Sequence, residues 1–178
     1  MGKAATFPCK GALSMELYDP KEASDRKGQY YGFDETTVVH VGVNSCMTIT
    51  YCFKEGLWGA HFGLFKPGIN AGEIDPAFVQ STLNDLEAGM PPAPKAVLLV
   101  GPTGYWRNRQ FYDAWVQMQS YARRKMGPHW NMADYICDIV RYTEETVNIH
   151  VFSYLNSVRI SEKRDAMEGK SYLWTFGH

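Results

Sequence analysis

The chain has no apolar run long enough to span a membrane, which needs about 20 residues, and its N-terminal stretch has no apolar signal-peptide core. A membrane span and a Sec signal are therefore not expected. The protein is expected in the cytoplasm, or delivered to a host cytosol by a non-Sec route. The sequence also lacks charge of one sign. Its 18 Lys and Arg balance 19 Asp and Glu, for a net charge of −1. Nothing in that balance draws the chain to nucleic acid or an anionic surface. The one basic run, Arg123, Arg124 and Lys125, suits the last turn of a helix, where cations complement the dipole. There is no Cys-x-x-Cys pair and no repeat. Four scattered cysteines, Cys9, Cys46, Cys52 and Cys137, read as reduced thiols rather than a disulfide framework.

What remains is an ordinary globular composition, 45% hydrophobic and 21% charged, with aromatics well represented. Its 178 residues suit one domain with a single sizeable core. Residues 1 to about 30 read as a charged lead-in with turn signals at Asp19-Pro20 and Lys27-Gly28. Three strands are expected at 36–43, 46–53 and 57–65. Asp75 caps a helix that opens on Pro76 and stops at Gly89. "KAVLLVG" reads as a central strand, and 101–108 as a loop. A second helix, 110–126, spaces Phe111, Trp115, Met118 and Ala122 along one buried face. Further strands are expected in "ADYICDIVRY", "TVNIHVFSY" and "SVRISEK", and no structure is assigned to the tail. The fold class is α+β: a mixed, mostly antiparallel sheet or sandwich with two main helices.

Chemistry concentrates in "VVHVGVNSCMTITYCFKEGLWGAHFGLF", residues 38–65. Alternation puts Met47, Ile49, Tyr51 and Phe53 on one face of a strand and Cys46, Thr48, Thr50 and Cys52 on the other. In the next strand Trp58, Ala60, Phe62 and Leu64 are the apolar set, opposite His61 and Gly63. Pairing the strands as a hairpin requires their apolar faces to coincide, so Cys46 and His61 share a face. With Lys54 and Glu55 as the central turn residues, Cys46 lies opposite Gly63 and diagonal to His61; a three-residue loop of Lys54, Glu55 and Gly56 would break that parity unless a bulge restored it. A neighbouring imidazole turns a thiol into a nucleophile. Asn44 and Ser45, in the turn entering Cys46, are placed to stabilise an oxyanion, alongside Thr48 and Gly63. The glycines at 42, 59 and 63 suggest a face left uncrowded for a protein substrate. Zinc is a competing reading, because His40, Cys46, Cys52 and His61 share that face, but their spacing fits no common zinc pattern. No cofactor or metal is expected. Cys137 and His150, a second pair on strands expected to be neighbours, read as structural. A strand cysteine and histidine are also ordinary core residues.

The stretch "VHVGVNSCMTITYCFKEGLWGAHFGLF" resembles the deamidase superfamily of bacterial chemotaxis CheD and the cytotoxic necrotizing factor catalytic domains. There a strand passes through a tight turn into a nucleophilic cysteine, and the catalytic histidine lies on the following strand. Here "NSC" and "GAH" hold those positions, with Cys46 and His61 separated by 14 residues. The order of elements agrees over about 36–161, and the residue-level match lies within 38–65. The resemblance implies a Cys46–His61 dyad that deamidates glutamine side chains of a protein substrate. The family's third residue falls near His40, which would act through its main chain, with Thr48 as substitute. The glycine-rich segments of the chemotaxis enzymes are absent; "GPTGYWRNRQ" stands there, which favours a toxin- or effector-like role. The other classes in play are a cysteine peptidase or transglutaminase-like enzyme, and a non-catalytic protein-binding module with "PTGYWRNRQFYDAW" at its interface.

Overall fold

A computed structural model describes residues 15–19, 29–63, 76–108, 112–126, 136–137, 146–154, 157–164 and 167–175. Among them are ten strands and three helices. The strands are β1 (Met15–Leu17), β2 (Tyr31–Asp34), β3 (Thr37–Val43), β4 (Met47–Cys52), β5 (Leu57–Phe62), β6 (Ala96–Val100), β7 (Ile136–Cys137), β8 (Val147–Tyr154), β9 (Ser157–Arg164) and β10 (Met167–Thr175). The helices are α1 (Pro76–Ala88), α2 (Thr103–Trp106) and α3 (Tyr112–Met126). The strands form two five-stranded sheets, ordered β1-β3-β8-β9-β10 and β2-β5-β4-β6-β7. Only β1–β3 and β6–β7 pair in parallel. The fold is α+β with mostly antiparallel sheets and two main helices, as the sequence pattern implies.

Both faces of the second sheet are covered. Met47, Ile49, Tyr51 and Phe53 pack under α1 and α3 with Leu83, Trp115 and Met118. The opposite face, with Cys52, Leu57, Leu98 and Val100, packs on Val38, Ile149, Val151 and Ile160 of the first sheet. The alternation of β4 thus sorts two buried layers rather than an inside from an outside. Its polar face is buried because its hydroxyls find partners: Thr48 Oγ1 donates to the Val100 carbonyl at 2.7 Å, and Thr50 Oγ1 lies 2.9 Å from His40 Nε2. The expectation of a face left open by glycines is corrected here. A Cβ on Gly59 would lie 2.8 Å from Val38 Cγ1, 2.9 Å from Leu17 Cδ1 and 3.3 Å from His40 Cε1, so the missing side chain lets the two sheets close. Gly59→Ala is expected to destabilise the fold by about 1–3 kcal/mol through overpacking. A chemical-denaturation midpoint unchanged from wild type would contradict this packing.

Two sequence expectations are redrawn. Cys137 and His150 do not lie on neighbouring strands, because β7 edges the second sheet and β8 sits inside the first. The stretch 101–108 is not wholly loop: one helical turn, α2, forms within it and buries Trp106 completely. The basic run closes α3 as expected, and Arg124 there bonds Glu87 of α1 at 2.6 Å. Those cations have a structural use. No helix among the described residues is long and apolar enough to cross a membrane.

Candidate functional site

The β4–β5 hairpin sets the site. Its register pairs Met47 with Phe62, Thr48 with His61 and Cys52 with Leu57. The turn bond from the Phe53 N–H to the Gly56 carbonyl, 2.9 Å, leaves Lys54 and Glu55 at the centre. Cys46, one residue before β4, is therefore carried toward Gly63 and diagonal to His61. On the neighbouring sheet, a bulge between His40 and Val43 interrupts the β3–β8 pairing. Gly42 occupies the bulge at φ 67°, a conformation glycine adopts without steric cost. The bulge turns Val43 inward beside Val38, and His40 faces the second sheet.

β1 completes the arrangement. It pairs in parallel with β3, matching Leu17 with His40. The Tyr18 N–H donates to the Gln29 carbonyl at 3.0 Å, fixing the chain just before Asp19. Asp19 then lies over Gly63, where any Cβ would overlap its carboxylate. The Cys46 thiol donates to Asp19 Oδ2 at 3.2 Å. One ligating atom each from Asp19, Cys46 and His61 lie within 4.8 Å of one another. His61 is fully buried, Cys46 is 6% exposed and Asp19 is half-buried, so the cluster meets solvent on the Asp19 side.

His61 is oriented by a backbone carbonyl. Its Nδ1 lies 3.2 Å from the Leu17 carbonyl oxygen, which only accepts, so Nδ1 carries the proton. That leaves the lone pair on Nε2, which meets no hydrogen-bond partner among the described residues. Burial lowers the His61 pKa below the ordinary 6.5; the Asp19 charge and the Leu17 bond oppose that shift. His61 is thus a neutral imidazole with a negative carboxylate at hand, suited to accepting a proton.

The other sequence candidates fall around this core. His40 stands edge-on to His61, ring centres 6.0 Å apart, with Nε2 engaged by Thr50. It is not part of the close cluster. Thr48 is committed to the Val100 carbonyl. Asn44 and Ser45 form the turn before Cys46, and the Ser45 carbonyl accepts from Trp106 Nε1 at 2.7 Å. Cys52 lies at the far end of β4, buried, its pKa pushed far up by burial alone. Sequence reasoning missed Asp19 and Trp106. Asp19 sits in a charged lead-in whose only signal is the turn dipeptide Asp19-Pro20. No family model matches the sequence, and no curated protein matches it.

The buried histidines imply an acid instability. Burial, then His61 and His150, holds the His40 pKa well below 6.5. In the unfolded chain both imidazoles protonate near pH 6.5; in the folded protein they do so only at lower pH. Between those values the unfolded state binds more protons, so stability falls as pH drops. Above pH 6.5 the two histidines contribute no slope. Each contributes at most about 1.4 kcal/mol per pH unit. Denaturant midpoints measured in chelator from pH 7.5 to 5.5 should fall below pH 6.5, and less steeply in His40→Gln. A flat wild-type profile would contradict neutral buried imidazoles.

Proposed function

We propose that this protein is a cysteine-dependent deamidase that converts glutamine side chains of a protein substrate to glutamate. The observation that carries it is the convergence of Cys46, His61 and Asp19 within 4.8 Å. The resemblance of residues 38–65 to the CheD and cytotoxic necrotizing factor superfamily supplies the reaction class. His61 Nε2 takes the Cys46 thiol proton, and the sulfur attacks the glutamine amide carbon. The tetrahedral intermediate collapses as His61 delivers that proton to the leaving ammonia. Water, deprotonated by His61, then attacks the thioester; glutamate forms and the thiol is restored. Asp19 stabilises the imidazolium of each step, while the Leu17 carbonyl holds the ring, the orienting role a third residue takes in related dyads. We assign the oxyanion to the amides of the Asn44–Cys46 turn. A toxin- or effector-like protein acting in a host cytosol is the setting this reading favours.

The test is ammonia release and a one-dalton mass gain in glutamine-bearing candidate proteins. Wild type should produce both, and Cys46→Ala neither. Chain cleavage would move the assignment to a peptidase, and a crosslink to a transglutaminase. A Cys46→Ala protein that still binds a partner as wild type does, with no product from either, would favour a binding module.

A further inference from the structure

We propose that Asp19, Cys46 and His61 form a three-ligand site for a zinc-class divalent cation, which closes over the Cys46 sulfur and reversibly blocks it. The proposal uses the same side chains as the deamidase reading but does not rest on it.

The donor set is a thiol, an imidazole and a carboxylate. A thiolate with an imidazole selects zinc-like ions over calcium or magnesium, which take oxygen ligands. Tetrahedral zinc, with bonds of about 2.0–2.3 Å, sets its ligand atoms about 3.3–3.5 Å apart. Cys46 Sγ and Asp19 Oδ2 are already 3.2 Å apart, and all three ligating atoms fall within 4.8 Å. Bringing the widest separation the cluster allows, 4.8 Å, to that spacing takes at most about 1.5 Å of side-chain movement. His61 has the second feature of a ligand. The Leu17 carbonyl holds Nδ1, the outer contact that commonly fixes a metal-bound histidine, and the fully buried Nε2 lacks a partner among the described residues.

Charge points the same way. On binding, the Cys46 thiol releases one proton to solvent. A dication then meets one thiolate, one carboxylate and one neutral imidazole, and the site is neutral. Without the ion, a thiolate beside Asp19 in a buried cluster is two like charges in close contact. Three protein ligands leave a fourth position for water. The zinc reading drawn from sequence used His40 and Cys52 instead of Asp19. The structure does not gather that set: Cys52 is at the other end of β4, and His40 lies outside the close cluster.

The test titrates zinc into chelator-treated, reduced protein against a chromophoric chelator. One ion per chain is expected. Cys46→Ala, His61→Ala and Asp19→Asn should each weaken it at least 100-fold, since loss of even an outer-shell partner costs about 10- to 100-fold. Cobalt(II) in place of zinc should show thiolate-to-metal charge transfer in the near ultraviolet, absent in Cys46→Ala. On wild type alone, zinc should protect Cys46 from iodoacetamide, and chelator should restore the rate. That arm stands even where a variant fails to fold. No stoichiometric binding, binding untouched by all three substitutions, or alkylation indifferent to zinc would each overturn the site. Zinc binding by a protein inactive as a deamidase leaves this site intact, and zinc-insensitive deamidation removes this site alone.

Discussion

His61→Ala is expected to lower Cys46 alkylation at pH 7 by about 10- to 100-fold, toward the few per cent thiolate of an unactivated thiol, and ammonia release by about 10²- to 10⁴-fold, the range removed with a positioned general base. In barrier terms the latter is about 3–5 kcal/mol. Asp19 and His61 both lie close to Cys46, and they act oppositely on its thiol. Asp19 accepts the thiol hydrogen at 3.2 Å, which holds the proton near sulfur, and its charge disfavours a thiolate beside it. His61 is the neighbour able to carry the proton away, because its Leu17 contact leaves Nε2 unprotonated. Removing the imidazole takes away that proton acceptor and keeps the carboxylate that disfavours a thiolate. Alkylation should be measured at pH 7 in chelator, with cysteine and reductant controls, and ammonia release as kcat/KM. Asp19→Asn separates the roles: it keeps the size and an acceptor oxygen but removes the charge that supports an imidazolium. Its kcat should fall, while the alkylation rate should fall less or rise. An alkylation rate unchanged in His61→Ala would make Cys46 a structural cysteine and end the dyad.

How this site could be read from sequence depends on which contacts are local. The Cys46–His61 relation was legible because a two-residue turn and a period of two fix a hairpin register once the apolar faces must coincide. The structure has that register, Thr48 opposite His61. The meaning of the polar face was not legible. Thr48, Thr50, His40 and His61 look like a solvated or substrate-facing set, yet they lie between two sheets, where Thr50 meets His40 and the Val100 and Leu17 carbonyls meet Thr48 and His61. Pattern reports which residues share a face, not what covers it. Asp19 was out of reach for another reason. It follows a three-residue strand paired in parallel with a distant one, and so short a strand has no periodicity to detect. β10 was likewise unassigned: only its pairing with β9, broken by a bulge between Glu168 and Ser171, gives its register. The His40–Val43 bulge inverts the facing of Val43 through one glycine, a change that strict alternation cannot anticipate.

Trp106→Ala should be the most destabilising single change outside the cluster, costing about 3–5 kcal/mol as a large-to-small core substitution. Trp106 is fully buried in the layer beneath the helices, and it also reaches the site: its Nε1–H donates to the Ser45 carbonyl at 2.7 Å. That bond ties the turn entering Cys46 to α2, whose single turn is closed by the Trp106 N–H to the Pro102 carbonyl at 3.2 Å. Two effects are therefore superposed in the alanine variant, lost packing and a released turn. Trp106→Phe separates them. It keeps most of the apolar contact and removes the donor, so the fold should lose only about 1–3 kcal/mol, the cost of a carbonyl left without its partner. If the bond positions Cys46, kcat should fall well beyond what that stability loss explains, since a displacement of about 1 Å at a reacting group costs as much as 10²-fold. The folded fraction is followed by near-ultraviolet circular dichroism, and alkylation is measured on the same sample. A Trp106→Phe protein that is folded and alkylates at the wild-type rate would show that the Ser45 carbonyl bond serves the fold alone. A folded protein with a slowed Cys46 would place the control of the nucleophile in a tryptophan that sequence assigned to a loop.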